Sequence, residues 1–197
     1  MKVGIPMKVQ YKNKLQKMVM VAVFAAVMAV LSQISIPLPT GVPVTLQTFA
    51  VALCGYVLGV GMGGSALAVY LALGAVGLPV FAGFSGGVGS FLGVTGGFLW
   101  GFFLMSLLCG LGSLQGRKWL ALLLGAVGLL VCDLCGAVQF SLVMSTPLPQ
   151  AFLIACAPYL VKDLISVVLG YFAAQAILYS LKLSLIHISE PTRHSLI

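Results

Sequence analysis

From Met18 to Leu181 the chain is a succession of apolar runs separated only by short clusters of proline, glycine and small polar residues. Runs of this length, close to the roughly 20 residues that an α-helix needs to cross a bilayer, leave few folds open. Of the 197 residues, 61% are hydrophobic and 7% charged, where a soluble domain carries about 45 to 50% and 25%. The chain reads as an all-α integral membrane protein. Its length suffices for one domain of about six spans with short loops and leaves no room for a soluble catalytic or nucleotide-binding domain. Energy for any work it does must come from elsewhere.

Turn signals divide the runs. Span one ends before Pro37, a residue that cannot continue a helix. Span two is expected at about 46–60 and span three at about 64–78, with "GVGMGG" as the turn between them. The stretch 79–97, "PVFAGFSGGVGSFLGVTGG", is too rich in glycine for an ordinary helix and too apolar for a free linker. It is expected to fold back into the mouth of the bundle as a re-entrant outer loop between helices three and four, because irregular backbone at membrane depth must be covered by protein. Spans four, five and six follow at about 98–114, 119–144 and 158–181, with Pro147 and Pro149 marking the last turn.

The net charge of +7 comes mainly from "KVQYKNKLQK" and "GRKW", which flank apolar runs. Counting six spans from an inside N-terminus places Lys2, Lys8, Lys12, Lys14, Lys17, Arg117, Lys118 and Lys182 on one side, as the positive-inside rule requires. The basic residues therefore report membrane orientation, with both termini cytoplasmic, and imply no nucleic-acid partner. The three opposite loops, 37–45, 79–97 and 145–157, carry no charge and gather the polar and glycine-rich features on the outer face.

The segment "LSLIHISEPTRHSLI" breaks this texture. Leu183 to Arg193 resembles the translation of a transposon-end sequencing adapter, so 1–182 is taken as the single membrane domain and 183–197 as a non-native tail. Both histidines and Glu190 lie in that tail; without it the acids are Asp133 and Asp163 alone. That inventory speaks against triads, metal sites and most acid/base chemistry. Cys132 and Cys135 form a C-x-x-C with apolar flanks and no accompanying histidine, so no metal, redox or cofactor role is assigned to them. "GGVGSFLGVTGG" lacks the lysine and the strand-to-helix setting of a phosphate loop.

"YLVKDLIS" places Lys162 and Asp163 at the start of span six, where ionisable residues are expensive and by default functional. Adjacent helical side chains point about 100° apart, so a direct ion pair is not expected. A ligand carboxylate near Lys162 would also gain from the helix N-terminus. Asp133, in span five, either lines the same cavity or bonds to neighbouring helices. Ala22 and Ala26, like Ala25 and Ala29, recur at four-residue spacing and suit close helix approach, within the bundle or against a partner membrane protein.

In order and spacing, "GVPVTLQTFAVALCGYVLG", "YLALGAVGLPVFAGFSGGVGSFLGVTGGFLWGF" and "APYLVKDLISVVLG" resemble the BioY family of biotin transport proteins. The resemblance implies a six-helix substrate-binding (S) component of an energy-coupling factor transporter in a prokaryotic plasma membrane. It would not be an enzyme; it would capture biotin from outside and be driven by a separate transmembrane coupling protein and two ATPase subunits. Val94 stands where the family often has proline, and Ser166 where many members have a lysine after the aspartate. On this resemblance Asp163 would meet the ureido donors and Lys162 the carboxylate. Thr45, Gln47, Ser85 and Tyr159 would offer neutral hydrogen bonds, and Phe81, Phe84 and Phe91 would pack on the rings. The alanines Ala22, Ala25, Ala26 and Ala29 would face the coupling protein.

Overall fold

The computed structural model describes residues 13–188, with side chains described through Lys182. Lys2, Lys8 and Lys12, and the tail from Ser189 onward, lie outside the described residues. Helix α1 spans Lys14–Ser32, α2 Gln47–Ala75, α3 Val88–Leu92, α4 Gly96–Leu114, α5 Lys118–Met144, α6 Leu148–Ala155 and α7 Leu160–Ile188. The two short strands β1 (Ser35–Ile36) and β2 (Val44–Thr45) pair antiparallel, Ser35 opposite Thr45, and turn the α1–α2 connection into a hairpin. Among the described residues, five helices are long and apolar enough to cross a membrane: α1, α2, α4, α5 and α7 up to Lys182. The chain is a multi-pass membrane protein, and its outward leucines, valines and tryptophans, such as Trp100, Leu130, Leu134 and Leu142, form the lipid-facing surface such a protein requires.

Helix α2 is one element by its hydrogen bonds but two by its path. Gly59 sits at φ 73, ψ −175, a region that residues with a Cβ essentially never occupy. The chain folds back there, so that Gln47 Nε2 donates to Tyr70 Oη at 2.8 Å although 23 residues separate them. A straight helix would hold those two about 34 Å apart. Position 63 packs on the backbone of Gly55, completing two antiparallel arms, 47–58 and 60–75. The expected turn at "GVGMGG" is therefore sharper than the motif suggests, the reversal resting on one glycine.

The bundle is held by close backbone approach, as expected where lipid offers no hydrophobic drive between helices. Along the α4–α5 seam, a Cβ at Gly101 would stand 2.6 Å from Cys132 Cα, and one at Gly112 would stand 2.8 Å from Ala121 Cα. Cys132 and Cys109 are fully buried in such seams, which is the structural use of thiols as small apolar side chains.

Two elements depart from expectation. Residues 145–157 are not simply a loop: α6 occupies most of them, and Ala151, Ala155 and Cys156 pack against Ala137 and Phe140 of α5. Cys156 Sγ donates to the Asp133 carbonyl at 3.3 Å, so α6 runs beside the C-terminal half of α5 to the level of Asp133. The glycine-rich stretch likewise contains structure, a 3-10 turn at Ala82–Phe84 and the short α3.

Candidate functional site

At the end of the bundle where β1, β2 and the glycine-rich stretch meet, a cavity of about 430 Å³ opens between α2, α4, α5 and α7. Small-molecule sites have volumes of about 300 to 1,000 Å³ and mostly apolar walls with a few convergent polar groups. Here the apolar wall is Phe81, Phe98, Leu99, Phe102 and Leu129, and the ionisable groups are Asp133, Lys162 and Asp163.

The β1–β2 hairpin forms one wall because its backbone is tied to the start of α7. Tyr159 Oη donates to the Val42 carbonyl at 2.7 Å and shares a 2.9 Å hydrogen bond with Thr40 Oγ1. Lys162 Nζ donates to the Thr45 carbonyl at 2.9 Å. Thr45 Oγ1 accepts from the Gln47 backbone N–H and donates to Gln47 Oε1, both at 3.3 Å, closing the entry to α2. Thr45 and Gln47 line the cavity while also spending their polar atoms on the fold.

The wall formed by the glycine-rich stretch is held at its two ends by glutamines. Gln33, just after α1, donates from Nε2 to the Pro79 and Phe81 carbonyls at 3.3 and 3.2 Å, and its Oε1 accepts from the Phe84 N–H at 3.0 Å. Ser32 Oγ adds a bond to the Val80 carbonyl. Gln139 of α5 donates to the Phe91 and Gly93 carbonyls at 2.6 and 2.8 Å. Phe81, pinned in this way, stands edge-on to Tyr70 and Phe91 with ring centroids 5.4 and 5.5 Å away. Its ring lies against Gly74, where any Cβ would overlap it.

Lys162 Nζ and Asp163 Oδ1 form an ion pair at 2.5 Å, with Asp163 buried and Lys162 half-buried. This corrects the expectation that the functional reading excludes a direct pair because neighbours on a helix are poorly placed for one: both lie in the first turn of α7, where a long lysine stem curls round to reach its neighbour. Ser166, at the position where many family members carry a lysine, instead bonds back to the Lys162 carbonyl at 2.9 Å.

With that geometry in place, the comparisons with known proteins are decisive. The BioY family model matches residues 7–182. The chain belongs to the BioY family. It is 36% identical to the probable biotin transporter BioY of Pyrococcus horikoshii over 82% of this chain and 96% of that one. It is 37% identical to the biotin transporter BioY of Rhodobacter capsulatus over 80% of this chain and 90% of that protein. Its fold is similar to a crystal structure of the S-component for biotin from an ECF-type ABC transporter, with a TM-score of 0.71, 26% identity, and coverage of 85% of this chain and 95% of the other. The matched relatives are transporters, not enzymes.

Within this BioY fold, the structure brings Asp163, Lys162, Thr45, Gln47, Ser85, Tyr159 and Phe81 to one cavity. It does not bring Phe84 and Phe91 there. Phe84 is 71% exposed, and Phe91 packs behind Phe81, against Trp100. The four alanines of α1 also separate: Ala25 is buried and Ala29 packs on the core, whereas Ala22 and Ala26 are exposed. The four positions follow the i, i+3, i+4, i+7 pattern and lie within about 100° of one another on a single helix face; the boundary of the core runs through that stripe, and spacing alone does not say where.

Sequence reasoning missed Gln33, at the end of α1, and Gln139, within α5, because a lone glutamine beside an apolar run carries no motif. Thr48, Ser90, Thr95, Phe98, Leu99 and Phe102 also line the cavity without having been singled out. Asp133, left between two readings, faces the cavity.

Proposed function

We propose that the cavity binds biotin and that the chain is the substrate-binding component of an energy-coupling factor transporter in a prokaryotic plasma membrane. A separate transmembrane coupling protein and two ATPase subunits would supply the energy. The observation that carries the reading is the touching Lys162–Asp163 pair at an apolar cavity, in a chain of the BioY family.

The ureido ring presents a C=O and an adjacent N–H side by side, and an ammonium in contact with a carboxylate is its hydrogen-bonding complement. Lys162 has three N–H donors; one meets the Thr45 carbonyl and one Asp163, leaving one for the ureido oxygen. Asp163 accepts the ureido N–H. This changes the role expected for Lys162: the ureido ring and the carboxylate lie at opposite ends of biotin and cannot both reach one ion pair. The carboxylate then lies at the uncharged mouth near Ser35, Gly83 and Ser85. Thr45, Gln47 and Tyr159 shape the wall, and Phe81 packs on the rings.

The two antiparallel arms of α2 support a count of six crossings, with the N-terminus and C-terminus cytoplasmic and the glycine-rich stretch re-entrant from outside. The exposed pair Ala22 and Ala26 is offered to the coupling protein, while Ala25 and Ala29 serve internal packing. Residues 183–197 are a non-native tail, which raw genomic reads across the locus would test: a natural coding continuation there removes the idea.

Purified protein is expected to retain labelled biotin, and Asp163→Asn and Lys162→Ala to lose that retention. Undiminished binding in both variants removes the site assignment. Failure of the unaltered protein to bind biotin removes the ligand.

A further inference from the structure

A ureido ring has two N–H groups flanking its one carbonyl, and the Lys162–Asp163 pair accounts for the carbonyl and only one of them. The other needs an acceptor, because a buried donor left without one costs most of what its partner contributes. We propose that Asp133 is that acceptor, so that the ring is held between carboxylates on α5 and α7. This rests on the biotin reading and adds a specificity-determining residue to it.

Three observations carry the assignment. Asp133 lines the cavity beside Leu99, Phe102, Leu129 and Cys132, and is 4% exposed. Its Oδ2 is buried with no hydrogen-bond partner, whereas Lys162, Tyr159, Thr45, Gln47 and Ser85 all bond to other protein groups. An acid inside a membrane helix is kept against its insertion cost, so one lacking an internal partner points to a partner that arrives.

Depth selects the end of the ligand that meets it. Asp133 lies eleven residues before Met144, the outer end of α5, hence about 16 Å along the helix. The Cys156 thiol bonded to its main-chain carbonyl brings the start of α7, and with it Asp163, to the same region. A ligand carboxylate at this floor would set like charges together in a water-poor site. A neutral ring with N–H donors meets no such repulsion and gains two charge-assisted bonds. The valerate chain then runs toward the hairpin and the glycine-rich stretch, where the cavity is lined by neutral groups.

The test is a set of affinity ratios on full-length protein in detergent, using Asp133→Ala and Asp133→Leu against wild type. Four probes are used: biotin, biocytin, whose carboxylate is masked as an amide, and the two biotins methylated on one or the other ureido nitrogen. Replacing an acid by an apolar residue in a membrane helix eases insertion, and ratios taken within one preparation cancel any unfolded fraction. Each variant is expected to weaken biotin and biocytin by the same factor, about 10- to 100-fold for a bond to a charged group. For one methylated isomer, lacking the N–H that Asp133 would accept, the variants are expected to bind within about twofold of wild type, the signature of a coupled pair.

Unchanged biotin affinity in both variants overturns the proposal. So does a loss for biotin that biocytin does not share, which would place Asp133 at the carboxylate end. Equal losses for all four probes would mark general damage and overturn it too. If wild type does not retain biotin at all, the biotin reading itself has failed, an outcome distinct from the three above.

Discussion

Helices α4 and α5 face each other twice, once along a closed seam and once across the cavity, and the two faces use overlapping residues to opposite effect. In the seam, Gly101 lies on Cys132 and Gly112 on Ala121, and the backbones meet with no space for a side chain. Toward the cavity, Phe98, Leu99 and Phe102 of α4 and Leu129 and Asp133 of α5 line open volume. Cys132 belongs to both faces. What separates them is what stands opposite. A glycine facing a small residue draws two helices together, whereas the cavity is spanned by the α1–α2 hairpin and the glycine-rich stretch, which Gln33 and Gln139 hold by hydrogen bonds. Dispersion packing closes the one face, and fixed polar contacts keep the other open.

The sharpest way to break this contrast is to fill the seam. Gly101→Leu sets a side chain against the Cys132 backbone, which cannot yield as a flexible side chain can. Overpacking of this kind is expected to cost about 3 kcal/mol, seen as a large drop in the thermal midpoint in detergent and loss of monodisperse protein. Filling the cavity side by Leu99→Phe should instead leave the midpoint almost unchanged while reducing ligand binding.

The next effect falls on the ion pair. Lys162→Ala leaves Asp163 buried without its cation, and biotin affinity is expected to fall about 30-fold, or roughly 2 kcal/mol, a figure kept modest because Lys162 is partly exposed. Equilibrium binding of labelled biotin measures it, and a change below threefold would mean that the pair serves the fold alone.

Gln33→Ala tests whether the pinned stretch shapes the cavity. Its loss releases the contacts to Pro79, Phe81 and Phe84 at once, and about a tenfold weaker affinity is expected with a faster off-rate and little change in on-rate. Unchanged dissociation kinetics would separate the stretch from the site. The smallest effect belongs to Phe84→Ala. That ring is 71% exposed and lies off the cavity lining, so affinity should stay within about twofold and stability within about 0.5 kcal/mol.

Much of the fold was legible because its signals are local. Helix α4 ends at Leu114, just before "GRKW", α5 starts within that motif at Lys118, and α7 begins just after Pro158, as charge and proline placement indicate. Residues 145–157 were less legible: "TPLPQAFLIA" looks like a proline-marked turn, and α6 earns its helix only by packing Ala151 and Ala155 on α5. In the site, the polar residues of "GVPVTLQT" and "YLVKDLIS" were readable as candidates. Their partners were not, since Thr45 and Lys162 are 117 positions apart and only the fold makes them neighbours. Phe84 and Phe81 show the same limit, as sequence proximity could not tell the exposed ring from the buried one.

By itself, the sequence determined that this chain lives in a membrane, where its long helices begin and end to within a few residues, and which scarce ionisable groups it keeps there. Those properties follow from transfer energies and helix geometry, which act residue by residue. The tertiary structure alone decided the joining of Lys162 to the Thr45 carbonyl, the turning of Ala25 inward and Ala22 outward, and the exposure of Asp133 to the cavity. Each depends on what a side chain meets across the bundle, and that is set by packing between segments distant in the chain, where no local pattern records the partner.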